Sequence, residues 1–335
     1  MSVRAMRSAA LLMLPLLFAV PARAEVSEVR IAQEFGISYL PLTVMHHEKL
    51  LEQAAAKAGI PNLKVTWAQF GAGNAMNDAL LSGSLDFPSG GVGPMLTIWS
   101  KTRGHQQVRG VAALNSMPLY LVSTDPKVKT IKDFTDQDKI ALPAVKVSIQ
   151  AVTLEMAAAE AFGADHYNQL DHLTVSMKHP DAMAALLSGH SEITAHFGSA
   201  PFQYLELQDK AAHRVLSSYD VLGGPHTFNV VWTTQKFHDD NPKVYAAFLT
   251  ALNEAMALIK SDPKRAAAIY IDEEKSKLSP EFVEQMIRDP ENVFTTMPQK
   301  VMKYAEFMHK IGAIDNMPKT TSEIFFPEFR AMAGN

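Results

Sequence analysis

Cysteine is absent from the 335 residues. Its absence excludes disulfides, thiolate metal sites, thiol nucleophiles and lipid attachment at a leader cysteine. Stability must then come from apolar burial, and a chain of this length can build a substantial core and more than one domain. Positive charge is also scarce: 31 Lys and Arg face 35 Asp and Glu, for a formal net charge of −4. No basic run occurs, so the electrostatic footprint of a nucleic-acid or anionic-membrane binder is missing. Neither G-x-x-x-x-G-K-[ST] nor G-x-G-x-x-G is present, which removes the sequence case for a nucleotide. Ser82, Ser89 and Ser148 lack a G-x-S-x-G elbow. His46-His47-Glu48 lacks the H-E-x-x-H spacing that puts two imidazoles on one helical face.

What is present begins with a single long apolar run. Arg4 and Arg7 precede residues 9–20, which are apolar and broken only by Pro15. Ala22-Arg23-Ala24 then sets small residues where a signal peptidase needs them, so residues 1–24 read as a cleavable leader and the mature chain as starting at Glu25. The run is shorter than the roughly 20 residues of a membrane-spanning helix. Removing Arg4, Arg7 and Arg23 takes the formal charge from −4 to −7.

Strand and helix patterns alternate through the first two thirds. Strands are expected near residues 29–32, 63–67, 85–87 and 108–114, with helices over 41–57, 74–81 and 95–101. The scheme repeats with strands near 118–122, 139–142, 173–177, 193–197, 215–217 and 227–233, and helices over 148–162 and 181–187. Such alternation implies an α/β fold with largely parallel sheets. From Asn241 the patterns are helical only, over 246–259, 263–271, 280–287 and 300–311, with Pro242, Pro263, Pro280 and Pro298 near their starts. This tail is expected to wrap the α/β body. One echo recurs: Ala79-Leu80-Leu81-Ser82-Gly83 before Asp86, and Ala185-Leu186-Leu187-Ser188-Gly189 before Glu192, which points to two similar lobes.

Ligands of open parallel sheets bind beyond the carboxyl ends of the strands, near helix N-termini. Five segments qualify: 33–36, 70–74, 90–94, the start of the helix at Ser148, and 197–201. Glycine permits close backbone approach, and the first N–H groups of a helix point outward without intrahelical partners. His196 and His226 stand at the edges of such loops, better suited as polar contacts than as zinc ligands, since no third ligand is fixed nearby. Tyr39, Phe70, Phe197, Phe202 and Phe228 could wall a pocket; Met117 falls at the expected inter-lobe crossing.

Several segments resemble the nitrate/sulfonate/taurine class of ABC-transporter substrate-binding proteins, including the alkanesulfonate-binding and thiamine-pyrimidine-binding types. They are Tyr39-Leu40-Pro41-Leu42, Phe70 to Gly73, the block from Ala79 to Asp86, Gly90 to Pro94, the block from Asp181 to Gly189, and Asn241-Pro242. Eukaryotic enzymes that make a thiamine pyrimidine share the fold but depend on a cysteine-rich segment, which this chain lacks. The resemblance implies a two-lobed periplasmic binding fold of type II, each lobe a mixed sheet flanked by helices. Lobe one would comprise residues 25–116 plus 229–335, and lobe two residues 117–228. It implies a monomeric periplasmic receptor, not an enzyme and needing no cofactor, that delivers a solute to an ABC permease. The cleft residues it implies are Gln33, Tyr39, Gly71, Asn74 and Gly91 on lobe one, Asn115 and Met117 at the first crossing, Ser148, His196 and Phe197 on lobe two, and His226 and Asn229 near the second crossing. No arginine falls in these loops, and Glu34 adds a negative charge, so a zwitterion, pyrimidine or aromatic acid fits better than a bare anion such as nitrate, with sulfonates still in play. The competing expectation is a secreted hydrolase or metal enzyme built on His196 and His226.

Overall fold

The computed structural model describes residues 25–334; the leader reading of residues 1–24 lies outside the described residues. The first body runs β1 (Glu28–Gln33), α1 (Leu40–His47), α2 (Leu50–Lys57), β2 (Lys64–Gln69), α3 (Gly73–Leu81), β3 (Ser89–Gly91), α4 (Val92–Lys101) and β4 (Val108–Ala113). The helix expected over 41–57 is two helices. Lys49 adopts the left-handed conformation (φ 52°), which stops α1 and restarts the chain as α2. β1 and β2 pair in parallel, and a parallel bridge between Ile31 and Phe87 extends the sheet towards β3.

The second body runs β5 (Tyr120–Ser123), β6 (Ile140–Leu142), α5 (Ile149–Phe162), β7 (Thr174–Ser176), α6 (His179–Ser188), β8 (Ala195–Gly198), α7 (Phe202–Glu206), β9 (His213–Ser217) and α8 (Ser218–Leu222). The chain then returns as β10 (Asn229–Thr234), the middle strand of β3-β10-β4 in the first body. The second sheet has the order β7-β6-β8-β5-β9.

The two sheets share one plan. Three parallel strands are followed by an antiparallel strand contributed by the crossing segment, β10 or β5, and then by a fourth strand. Each sheet is therefore mixed rather than largely parallel, because the chain must cross between bodies and come back. The repeated A-L-L-S-G blocks fall on equivalent elements, the ends of α3 before β3 and of α6 before β8. This is a two-lobed α/β molecule.

The tail is α9 (Gln235–Asp240), α10 (Pro242–Ser261), α11 (Pro263–Glu273), α12 (Pro280–Arg288), α13 (Val301–Lys310) and α14 (Thr321–Ile324). Pro242, Pro263 and Pro280 each open a helix, where a missing N–H costs nothing. α10 and α11 pack on α1 and α2, burying Val244, Phe248, Leu252, Ala266 and Tyr270 in one cluster with Val29 and Ile31 of β1. α13 packs on α4 and α5 together, so one apolar cluster runs from Val92 and Met95 through Ile149 and Val152 to Val301 and Tyr304. No helix among the described residues is long and apolar enough to cross a membrane.

Candidate functional site: the cleft between the lobes

The carboxyl ends of both sheets face each other, and four contacts join them. The Ile37 N–H donates to Ala200 O at 3.1 Å. A methyl group built on Gly91 would lie 2.6 Å from Ile149 Cγ2, and one on Gly93 2.7 Å from Val147 O. A methyl group on Gly71 would lie 3.5 Å from Lys178 Cβ at the rim. Gly91 has an ordinary φ of −63°, so what demands glycine there is room. Behind these contacts three crossing segments run side by side. Ser116 pairs with Thr227 on one side and Val293 on the other, and Ser116 N–H donates to Val293 O at 2.7 Å. The segment at Val293, joined to Ser116 by a single antiparallel bridge, is a third one that the sequence patterns did not reveal.

Glu34 lies at the centre. The pleat alternates, so Gln33 shares the face of Val29 and Ile31 and points to the tail, where its Nε2 donates to Glu274 Oε1 at 3.2 Å. Glu34 points the other way. A methyl group on Gly90 would lie 2.9 Å from its Oε1, and one on Gly73 3.4 Å. Burial pushes its carboxyl up to about 8, against donation from the Tyr39 hydroxyl and the Gly73 N–H, which favours the ionised form. At neutral pH this group is mostly protonated, which revises the expectation that it adds a full negative charge. The Tyr39 hydroxyl accepts from Asn229, and burial together with Glu34 raises its own titration well above the usual range.

The crossing amides are tied to the same loop. Asn115 Nδ2 donates to Ser38 O at 2.6 Å, and Asn229 Nδ2 to Ser38 Oγ at 3.3 Å. Asn229 Oδ1 is buried without a partner, and so is Ser199 Oγ, which faces Gly36 from lobe two. Buried polar atoms left open are uncommon and call for a reason.

Lobe two contributes a buried polar relay. Gln150 Nε2 is 3.3 Å from His179 Nε2, His179 Nδ1 is 2.8 Å from His196 Nε2, and His196 Nδ1 is 2.5 Å from Glu206 Oε1. Burial lowers both histidines, His196 to about 3, and raises Glu206 to about 9. All of these groups are then neutral. The Glu206 O–H donates to His196 Nδ1, His196 Nε2–H to His179 Nδ1, and His179 Nε2–H to the Gln150 amide once its oxygen is turned inward. Phe202 stacks on His179 at 5.6 Å between ring centroids. The relay therefore backs the Phe202 ring, whose Cε2 would lie 3.7 Å from a methyl group on Gly36, beside Ser199 Oγ.

Of the residues expected at the cleft, Tyr39, Gly91, Asn115 and Asn229 come together here, with Gly71 at the rim. Asn74 is exposed, because α3 turns Gly73, Met76, Asn77 and Leu80 inward. Ser148 caps α5, accepting from Ala151 N–H at 3.2 Å. Met117 and Phe197 are core. His196 sits one layer behind the cleft, on the opposite face of β8 from Ala195 and Phe197. His226 lies behind the crossing, where its Nε2 accepts from Ser218 Oγ at 2.7 Å and its Nδ1 donates to Thr227 O. Burial lowers it to about 4. His196 and His226 thus belong to separate networks with both nitrogens of each engaged, so they do not form the shared centre that a hydrolase or metal enzyme would need. Gln150 and His179 were missed, and Ser199 was covered only as part of the segment 197–201. The repeat that aligns Gly83 with Gly189 also aligns Gly73 with His179, and that was the available signal.

A large groove of about 1570 Å³ lies elsewhere, between α10 and residues 287–295. It is an open groove, and none of the seam residues lines it.

The sequence profile of the NMT1-like family matches residues 22–271. The chain belongs to the NMT1-like family. This NMT1-like protein also resembles solved structures over most of its length. Against the alkanesulfonate-binding protein SsuA of Xanthomonas axonopodis pv. citri bound to MOPS, the TM-score is 0.69 at 20% identity, covering 91% of this chain and 98% of that one. Against the periplasmic nitrate-binding protein NrtA of Synechocystis PCC 6803, it is 0.68 at 16% identity, covering 92% and 88%. The CA3427 gene product of Candida albicans, described as having the generic periplasmic binding protein fold, gives 0.65 at 11% identity, covering 88% and 93%. A search of curated proteins gave no match to this NMT1-like chain. Its fold is that of the periplasmic binding proteins.

Proposed function

We propose that this protein is an extracytoplasmic solute receptor that holds a small organic molecule between its lobes and presents it to an ABC import permease. The observation that carries the reading is the inter-lobe seam itself. Glu34, Asn229 Oδ1 and Ser199 Oγ are buried there, and the latter two lack partners. A solute with matching groups supplies those partners, and only the apposed lobes provide them all. The lobes divide at the crossings, with residues 25–116 and 229–335 in lobe one and 117–228 in lobe two, and α13 spanning both. The protein acts in the periplasm after loss of its leader, as a monomeric binder rather than an enzyme.

The chemistry of the seam favours a solute rich in N–H donors. Its acceptors are Glu34 and Asn229 Oδ1, its flat wall is Phe202, and the nearest cation, Lys178, stands at the rim over Phe35. The relatives are named for alkanesulfonate and nitrate; here no cation stands at the centre of the seam to balance a bare oxyanion. An amino-substituted heterocycle such as a pyrimidine, or a zwitterion offering its ammonium, fits better. A thermal-shift screen of amino-pyrimidines, amino acids, aromatic acids, sulfonates and nitrate tests this. At 100 times its dissociation constant the true solute adds about 2.7 kcal/mol, a shift of about 4 °C. A shift with nitrate or simple sulfonates alone refutes the solute class, and no shift with any small molecule refutes the receptor.

A further inference from the structure

Two helices end side by side on the outer face of lobe one. α1 ends in His46 and His47, and α11 ends in Asp272 and Glu273. His46 Nδ1 lies 3.1 Å from Glu273 Oε2. His47 Nδ1 lies 3.0 Å from Glu273 Oε1 and 3.9 Å from Asp272 Oδ2. We propose that His47, Asp272 and Glu273, with His46 on the second oxygen of Glu273, form a binding site for a divalent transition metal of the zinc class. The inference is independent of the solute reading, since none of the four residues lies in the cleft.

The donor set decides the class of ion. Two imidazoles with two carboxylates suit zinc, nickel or copper, whereas calcium and magnesium take oxygen alone. The spacing agrees. Metal bonds of about 2.1 Å arranged tetrahedrally put neighbouring ligand atoms about 3.4 Å apart; the ligand atoms of His47, Asp272 and Glu273 all lie within 4.8 Å of one another, and His46 joins them through the second oxygen of Glu273. The field agrees as well. Two helix carboxyl ends, each carrying partial negative charge, converge on a run of three carboxylates, Asp272, Glu273 and Glu274.

Cations nearby do not fill that role. Arg265 is committed to Glu48 at 2.8 Å. Lys275 approaches only the far oxygen of Asp272, at 3.3 Å, with a side chain 80% exposed. The surroundings hold the ligands in place: the Trp67 ring packs 5.1 Å from that of His46, and Gln33 and Gln69 both donate to Glu274. A small pocket of about 180 Å³ beside His46 and Glu273 leaves room for water as a further ligand. The cluster is partly exposed, so an ion can enter. It joins residues far apart in sequence, and no local motif announces it.

Isothermal titration of the untagged protein with Zn²⁺ alone tests the site. One ion per chain is expected, with His47→Ala and Glu273→Gln each weakening binding at least tenfold. His190→Ala, an exposed histidine on the other lobe, should leave binding unchanged. Co²⁺ should give a visible d–d absorption that His47→Ala abolishes. Circular dichroism confirms that each variant is folded. Absence of saturable uptake at one equivalent, or uptake that survives both substitutions, overturns the proposal.

Discussion

Glu34 shows how much one side chain can weigh. Its carboxyl titrates at about 8 in the folded protein against an ordinary value of 4.5. The folded state therefore holds that proton more tightly than the unfolded chain. Its contribution is complete below about pH 4.5 and is lost as pH rises towards 8. Glu34→Gln removes this dependence. Relative to wild type it should gain up to about 1.4 kcal/mol for each pH unit across that window, while losing solute binding. Urea unfolding at pH 5, 7 and 8.5 gives the difference; parallel curves for the two proteins would contradict it. Ser148 works at the same scale through a different bond. Ser148→Ala takes the cap from α5 and should cost about 1 kcal/mol, read from the shift in denaturation midpoint.

At the level of elements, the molecule depends on how closely β3 and α4 approach the start of α5. Gly91 and Gly93 leave no space for a side chain opposite Val147 and Ile149. Gly91→Ala should destabilise by about 1–3 kcal/mol through overpacking. Combined with Ile149→Ala, the loss should be non-additive, with a coupling of at least about 1 kcal/mol. Additive losses in a double-mutant cycle would show that the two elements do not meet. Helix starts were well marked in the sequence, by Pro242, Pro263, Pro280 and Ser148. The break at Lys49 was not, because a left-handed lysine carries no composition signal.

For the whole molecule, opposing sets of buried groups fix the pH of greatest stability. Glu34 and Glu155 titrate at about 8 and Glu206 at about 9, raised chiefly by burial, so their contribution declines above about 4.5. His196 at about 3 and His226 at about 4 are depressed by burial from 6.5. Their contribution is complete above 6.5 and is lost as pH falls towards those values. Stability should therefore peak between about pH 4.5 and 6.5. Thermal melts from pH 4 to 9 check this, and a maximum at pH 8 would be inconsistent with it. The same burial means that imidazole resonances of His196 and His226 should not titrate near neutrality, which NMR can follow.

The sequence by itself determined the alternation of strands and helices, the helical tail, the internal repeat and the glycines that admit close approach. These depend on periodicity and on backbone freedom, which are local. Tertiary structure alone decided which side chains face the cleft. Gln33 and Glu34 are adjacent, yet the pleat sends one to the tail and the other to the seam. Asn74 and Asn77 lie one turn apart on α3, yet only Asn77 is buried. His196 read as a cleft residue because its loop is at the cleft; the sheet turned it behind His179. The His46, His47, Asp272 and Glu273 cluster exists only because α11 folds back on α1. Orientation and long-range proximity come from packing, and a linear pattern does not encode them.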